Sequence, residues 1–230
     1  MHGLIHVILK DLVEGSFGRV KWLAILEKCH VEDDGPLLES VQYDDETSFD
    51  MVMATTEVLS LSLEKTLEAF GAHFVKYVAC GGYSKMLRAM GHSITVFLSN
   101  LNHLHQVLER KKDFRSSVFP TFETRVQERQ PGQPVRQTRF TISYRSSRGN
   151  LLCSLVEGII KQLAIQIFHQ SIAMKRKEKP DEGFCATWEV QLEDRSNDDN
   201  RETWEDSSWC TAAGDELLSQ RIEQNACVPG

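Results

Sequence analysis

Hydrophobic side chains recur at spacings of three and four along the first half of the chain, which is the pattern of amphipathic helices. Two helices are predicted within the first 26 residues, separated by a break at Phe17-Gly18. Further helices are expected near 47–60, 63–80 and 93–110. The last has the clearest apolar stripe, formed by Ile94, Phe97, Leu98, Leu101, Leu104, His105 and Leu108.

After Pro120 the pattern changes to alternation of apolar and polar residues, which indicates strands. Runs near 119–127 and 137–145 flank a segment rich in proline and glycine, and 184–192 alternates strictly. The apolar stretch 150–168 is too long for a surface strand and predicts a buried helix. The chain is therefore expected to be α+β, with an N-terminal helical subdomain and a C-terminal subdomain of antiparallel sheet with helices.

Composition narrows the function classes. A chain of 230 residues with 41% hydrophobic content can form one sizeable core or two small subdomains. It shows no signal sequence and no apolar run long enough for a membrane span, so a cytoplasmic location is expected. The net charge of −7 argues against nucleic acid and anionic membranes as partners. The acidic stretch that begins near Asp194 is expected to be a disordered tail or linker over 194–230.

Reactive side chains give little sign of other chemistry. The six cysteines form no C-x-x-C pair, which predicts reduced thiols rather than a zinc site or a disulfide framework. Only His2 and His6 have a spacing that suits a metal, and they are a weak candidate. No nucleophile elbow or P-loop is present, so the chain is not expected to be an enzyme.

One histidine stands out on helix 93–110. His105 falls on the apolar stripe and is expected to face inward, whereas His103, about 200° away around the helix, is expected to face solvent. A histidine in that position is either a core residue bonded to a backbone carbonyl or a metal ligand. The helix alone favours the first interpretation.

A second motif favours the interpretation of His105 as a metal ligand. Tyr144, Ser146 and Arg148 occupy alternate positions at the end of the strand 137–145, so they share a face if the extended run continues. All three donate hydrogen bonds to carboxylates, and arginine can hold a carboxylate bidentately. Alone, the motif equally suits the end of an ordinary strand. Together with a lone inward imidazole, it supplies what haem binding requires: one nitrogen for the iron and a clamp for the propionates.

Several segments in sequence order carry a family resemblance. They are MHGLIHVILKDLVEGSFG at the start, EAFGAHFVKYVACGGYSKMLRAMG at 68–91, NLNHLHQVL at 100–108, FPTF at 119–122, YRSSR at 144–148 and VEGIIKQLAIQI at 156–167. Over residues 1–193 the chain resembles the haem nitric oxide/oxygen-binding (H-NOX) domain, and most of all the beta subunits of soluble guanylate cyclase.

The resemblance implies a role for individual residues. His105 is the expected ligand of the iron of a haem b, and Tyr144, Ser146 and Arg148 are expected to hold its propionates. The haem is expected to lie between the helical subdomain and a sheet of about four strands. Further residues expected around it are Leu4, Phe74, Tyr83, Leu101, Pro120 and Cys153, with Pro120 pressing on the porphyrin.

The resemblance also guides the choice of gas. Oxygen-binding relatives carry a tyrosine in the helix after the propionate motif, whereas 149–157 holds no tyrosine, histidine or tryptophan here. Nitric oxide is therefore the expected ligand, with carbon monoxide as a second candidate. Tyr77 is the residue that argues against this choice, because its hydroxyl would favour oxygen binding if it reached the pocket. Nitric oxide is expected to weaken the bond between the iron and His105 and to shift helix 93–110.

The expected partner is a guanylate cyclase subunit or a downstream signalling protein. Two alternatives remain open. In the first, the chain is a haem-free dimerisation or docking module like a cyclase alpha subunit. In the second, it is a haem redox sensor in which Cys80 or Cys153 responds to oxidation. The sequence also leaves open whether the chain is a stand-alone sensor, a shortened isoform or a fragment of a longer protein.

Overall fold

A computed structural model describes residues 1–31, 41–114, 117–127 and 138–193. It contains seven α-helices and four strands within those ranges, with a π-helical turn at Ala79–Tyr83 and a 3-10 turn at Lys112–Phe114. The elements are α1 Gly3–Phe17, α2 Arg19–Lys28, α3 Asp45–Leu59, α4 Leu63–Val78, α5 Ser84–Ala89, α6 Ile94–Glu109, β1 Thr121–Val126, β2 Arg139–Arg145, α7 Cys153–Phe168, β3 Ser171–Arg176 and β4 Ala186–Glu193.

The predicted α+β architecture is confirmed, with helices first and a four-stranded antiparallel sheet after them. The strand order is β1-β2-β4-β3, and Tyr144 of β2 pairs with Phe122 of β1 and Ala186 of β4. Sequence patterns predicted β1, β2 and β4 but not β3. In β3 only Ile172 and Met174 alternate before the basic end of the strand, which is too short a signal.

Two hydrophobic clusters form the interior. The helical core joins α1, α2, α3 and the first turns of α4, and it contains Ile8, Leu9, Leu12, Val13, Trp22, Ile25, Leu26, Met51, Val52, Ala54, Leu67, Phe70 and Leu155. The sheet core packs β1, β2 and β4 against α7 and the buried part of α6, with Phe97, Phe140, Ile142, Tyr144, Ile160 and Trp188 among its members. Helix α6 thus belongs with the sheet, although it precedes every strand in sequence.

Helices α4 and α7 cross at two glycines and connect the two cores. A Cβ atom on Gly71 would lie 2.2 Å from the carbonyl oxygen of Leu155, and one on Gly158 would lie 2.1 Å from that of Glu68. Both distances are far inside van der Waals contact, so only glycine allows the two backbones to approach this closely. At the end of α1, Gly18 has a φ of 84°, which accounts for the break predicted there.

The cysteines differ in their oxidation state. Cys29, Cys153 and Cys185 are free thiols, whereas Cys80 is disulfide-bonded, so the expectation of reduced thiols throughout is wrong at Cys80. The predicted tail 194–230 lies outside the described residues. In the ranges that the structure describes, no helix is long and apolar enough to cross a membrane. Nor do three or more His, Cys, Asp or Glu side chains converge there as a metal site.

Candidate functional site

A cavity of about 310 Å³ lies between the helical core and the sheet core. This volume is in the range of small-molecule and cofactor sites. Its walls come from α1, α4, α6, α7, β1 and β2 and from the segment before β1. Nine of the ten residues singled out from the sequence line it: Leu4, Phe74, Tyr83, Leu101, His105, Pro120, Tyr144, Ser146 and Arg148.

His105 projects from α6 into this cavity, while His103 is exposed on the opposite face. The His105 Nδ1–H donates a hydrogen bond of 2.9 Å to the Pro120 carbonyl, and the ring stacks on Phe119 at 4.8 Å between centroids. Burial lowers the pKa of the imidazole, against the opposing effect of the Pro120 hydrogen bond. The ring is therefore neutral near pH 7. Because Nδ1 carries the proton, the lone pair is on Nε2, as a metal-ligating histidine requires.

The phenol of Tyr144 lies at the sheet side of the cavity. Tyr144 is buried between Phe122 and Trp188, with ring centroids 5.5 Å and 6.2 Å away. Burial raises the pKa of its phenol, and a hydrogen bond with the Ser146 hydroxyl partly offsets this effect. The phenol therefore keeps its proton near neutral pH and is a hydrogen-bond donor.

The shared face of Tyr144, Ser146 and Arg148 was expected only if the extended run continued. The run does not continue through the motif. Strand β2 ends at Arg145, and a turn follows in which the Ser146 hydroxyl accepts a 3.1 Å hydrogen bond from the Arg148 backbone N–H. Serine hydroxyls stabilise turns in this way. The three side chains still reach one cavity, because the turn folds Ser146 and Arg148 back towards Tyr144.

Arg148 joins the sheet side to the helical side through Asp45, at the start of α3. Its guanidinium donates 3.0 Å hydrogen bonds to Asp45 Oδ1 and to the Val118 carbonyl. Its Nε also lies 2.8 Å from Asp45 Oδ2, as a charge contact without hydrogen-bond geometry. The Met1 ammonium group donates a 3.0 Å hydrogen bond to the same carboxylate. Burial opposes ionisation of Asp45, but these hydrogen bonds outweigh it and hold the pKa of the carboxyl below its usual value.

Sequence reasoning missed Met1 and Asp45. Asp45 stands in an acidic run before a helix, which reads equally well as helix capping. Nothing local indicated that its partner would be more than a hundred positions away. The only available signal was that an arginine in a binding motif, once partly removed from water, needs a carboxylate nearby.

His2 and Gln42 are polar lining residues that precede α1 and α3. The lining contributed by α1, α4 and α7 is apolar. It includes Leu4, Ile5, Phe74, Val78 and Leu155. None of these side chains carries a hydrogen-bond donor. Among the lining residues from α4 and the turn after it, Tyr83 alone has a hydroxyl, and 38% of its surface is exposed.

Two residues from the sequence analysis lie away from the cavity. Cys153 was expected in the pocket but is buried in the sheet core at the start of α7, because its position on the helix turns it towards the strands. Tyr77 packs against the helical core and does not line the cavity. The donor that Tyr77 would have supplied is therefore directed elsewhere.

The sequence profile of the Haem-NO-binding family matches residues 2–176, which is most of the chain. The chain belongs to this family. Its relatives include soluble guanylate cyclase gcy-35 of Caenorhabditis elegans, 24% identical over 81% of this chain and 26% of that protein. Guanylate cyclase soluble subunit beta-2 of Rattus norvegicus is 34% identical over 49% of this chain and 15% of that subunit. The chain spans about a quarter or less of the length of these cyclases.

Solved structures of the Haem-NO-binding fold resemble the chain over most of its length. An H-NOX protein from S. oneidensis in the Fe(II)NO ligation state superposes with a TM-score of 0.68 at 19% identity, over 84% of this chain and all of that one. Unliganded Fe(II) H-NOX from K. algicida gives a TM-score of 0.68 at 20% identity, over 86% and 99%. At these identities the likeness shows a shared fold.

Proposed function

We propose that this chain is a haem-based nitric oxide sensor, the regulatory domain of a guanylate cyclase system. The observation that carries the proposal is His105: a neutral imidazole that lines the cavity, with Nδ1 donating to Pro120 and Nε2 left as the ligand atom. Membership of the Haem-NO-binding family supports it. The resident group would be haem b, whose ferrous iron supplies the gas-binding centre.

The residues around the cavity fit such a group. His105 would ligate the iron, and Tyr144, Ser146 and Arg148 would donate hydrogen bonds to the propionates. Each terminal nitrogen of Arg148 carries a second N–H besides those directed at Asp45 and Val118, so the guanidinium can bind a propionate without releasing Asp45. The remaining lining is mostly apolar, which suits the porphyrin.

The apolar wall supports selectivity for nitric oxide over oxygen. Bound oxygen carries partial negative charge, and a hydrogen bond to it would contribute about 1.5–3 kcal/mol. Leu4, Ile5 and Phe74 offer no donor, and Tyr77 packs elsewhere. Nitric oxide needs no such donor, and carbon monoxide is a second candidate for the same reason.

The same geometry suggests how the signal leaves the site. His105 would tether the cavity-facing residues of α6 to the group, whose iron would bind nitric oxide. If that binding weakened the tether, α6 would be free to move relative to the sheet core, and a ligand shifts such an equilibrium only through its different affinity for the two states. The partner would be a cyclase subunit or a downstream signalling protein in the cytoplasm, and the chain itself would catalyse no reaction.

The test is the visible absorption spectrum of the purified, haem-reconstituted, reduced chain, recorded anaerobically, with nitric oxide and under air. A Soret band that moves to a five-coordinate nitrosyl position with nitric oxide and is unchanged by brief exposure to air supports the proposal. A folded chain without a Soret band overturns it and favours a haem-free docking module. A shift to a ferrous oxygen complex under air would refute the selectivity.

A further inference from the structure

Helix α6 is supported differently in its two halves. In the first half, Ile94, Phe97 and Leu98 are each 1% exposed and belong to the sheet core. In the second half, Leu104, His105 and Leu108 face the cavity. Phe97 and Leu98 also line the cavity, but the cavity-facing side chains of the second half are only half-buried. Polar contacts therefore contribute to the position of the second half, together with the stacking of His105 on Phe119.

Asn102 provides two of these contacts. Its Nδ2 donates a 2.7 Å hydrogen bond to the Phe122 carbonyl, and its Oδ1 accepts a 2.8 Å hydrogen bond from the Phe122 backbone N–H. Strand β1 is an edge strand of the described sheet, so the groups on its open side have no neighbouring strand to bond. The Asn102 amide takes that place and joins α6 to β1.

The Asn102 bridge lies next to the His105 hydrogen bond. His105 is one turn further along α6, and its acceptor, Pro120, is two residues before Phe122. Three hydrogen bonds therefore join one face of α6 to the segment 120–122. An amide is suited to this bridge because it both donates and accepts, whereas a carboxylate only accepts.

We infer that Asn102 is a positioning residue, whose amide bridge to Phe122 sets where α6 holds the His105 imidazole over the cavity. The part of this inference that concerns the iron rests on the proposed haem function. The bridge also resists movement of α6 when His105 changes its bonding. Its strength would therefore determine how far α6 moves when the tether loosens.

The test compares Asn102→Leu and Asn102→Asp with the wild-type chain, all haem-loaded and full-length. Asn100→Asp is the matched control, because Asn100 is also on α6 but is exposed and donates one 2.7 Å hydrogen bond to the Met90 carbonyl, away from His105. Two quantities are measured: hydrogen exchange at the Phe122 amide, and the iron–histidine stretching band in the resonance Raman spectrum of the ferrous protein.

Asn102→Leu is expected to speed Phe122 exchange by about tenfold, as the loss of about 1.4 kcal/mol would do, and to shift or split the iron–histidine band. Asn102→Asp keeps the acceptor, so it should leave Phe122 exchange slow while still altering the band. Asn100→Asp should change neither quantity. Faster exchange with the band unmoved in Asn102→Leu would reduce the bridge to a structural contact and overturn the inference.

The two proposals fail in different ways. If the wild-type chain binds no haem, the proposed function fails, and Phe122 exchange still tests the bridge. Equal Phe122 exchange in the wild type and Asn102→Leu would then overturn the inference by itself. If Asn102→Leu does not fold, the band position in Asn102→Asp decides: a wild-type position overturns the inference, and a shift supports it.

Discussion

The two sides of the cavity differ in chemistry. The sheet side holds the groups suited to ligation and hydrogen bonding, namely the His105 imidazole, the Tyr144 phenol, the Ser146 hydroxyl and the Arg148 guanidinium. The helical side offers mostly hydrocarbon, as at Leu4, Ile5 and Phe74, with His2 and Gln42 as polar exceptions. One side can attach a cofactor, and the other can shape which gas is retained.

The difference extends to how each side is held. On the sheet side, side chains bond to backbone, as in His105 to Pro120 and Asn102 to Phe122. On the helical side, α1 rests on apolar packing and on a buried neutral imidazole, His6, which bonds to Ser48. Hydrogen-bonded polar groups therefore face a wall that is held mainly by apolar packing.

Removing the ligand from the sheet side should have the largest effect. His105→Gly is expected to abolish stable haem binding, because no other imidazole on the described part of α6 faces the cavity. Free imidazole should restore haem and nitric oxide binding in the spectrum but not movement of α6, followed by hydrogen exchange across 94–109. His103→Gly is the control. Movement of α6 in the rescued variant would refute the tether.

The buried imidazole of the helical side should make stability depend on pH. Burial, together with the nearby amino terminus, lowers the pKa of His6 to about 4. Between pH 4 and the unfolded value near 6.5 the unfolded chain binds more protons, so stability falls as pH falls through this window. The loss amounts to about 3 kcal/mol.

His6→Gln should remove most of this dependence, as measured by denaturant unfolding at pH 7 and pH 4.5. The exposed His103→Gln is the matched control and should retain the wild-type slope. An identical slope in His6→Gln would show that His6 is not held neutral. A slope that remains in His6→Gln would combine the contribution of His105, whose pKa is also lowered by burial, with those of Asp45 and Asp181, whose pKa values are lowered by hydrogen bonds.

Adding a hydrogen-bond donor to the apolar side should make the two sides of the cavity chemically more alike. Phe74→Tyr places a hydroxyl on the cavity wall with little change of shape, and it should strengthen oxygen binding by about 1.5–3 kcal/mol. Oxygen titration of the ferrous protein by absorption measures this gain. Tyr77→Phe, the matched control, should leave oxygen affinity unchanged, and a large loss in that variant would show that the Tyr77 hydroxyl reaches the site.

Removing the ion pair between Asp45 and Arg148, which joins the two sides, should have the smallest effect on stability. Asp45→Asn removes the charge that pairs with Arg148 and Met1, and Asp45 is 45% exposed. A loss of about 0.2–1 kcal/mol at pH 7 is expected. Because the pKa of Asp45 is lowered, the wild-type contribution is present above the unfolded carboxyl pKa and is lost as pH falls through the folded one. Urea unfolding should therefore show a larger difference between wild type and Asp45→Asn at pH 7 than at pH 3.

The periodicity of apolar residues was sufficient to predict an element when one of its faces packs against one core. Helix α6 and strand β4 were predicted because their apolar stripes are long and regular. Strand β3 was missed because only Ile172 and Met174 alternate in it before its basic end. The inward direction of His105 followed from helical spacing. Cys153, expected in the pocket, does not line the cavity, and its surroundings depend on how α7 packs.

The sequence by itself determined which side chains are available: one inward histidine on α6, a tyrosine-serine-arginine motif, and no tyrosine, histidine or tryptophan over 149–157. These follow from residue identity and local periodicity. The tertiary structure decided that Arg148 meets Asp45 and Met1, that Asn102 bridges to Phe122, and that Tyr77 packs away from the cavity. Such contacts join residues distant in sequence, and no local pattern specifies them, because they depend on how the two cores are brought together.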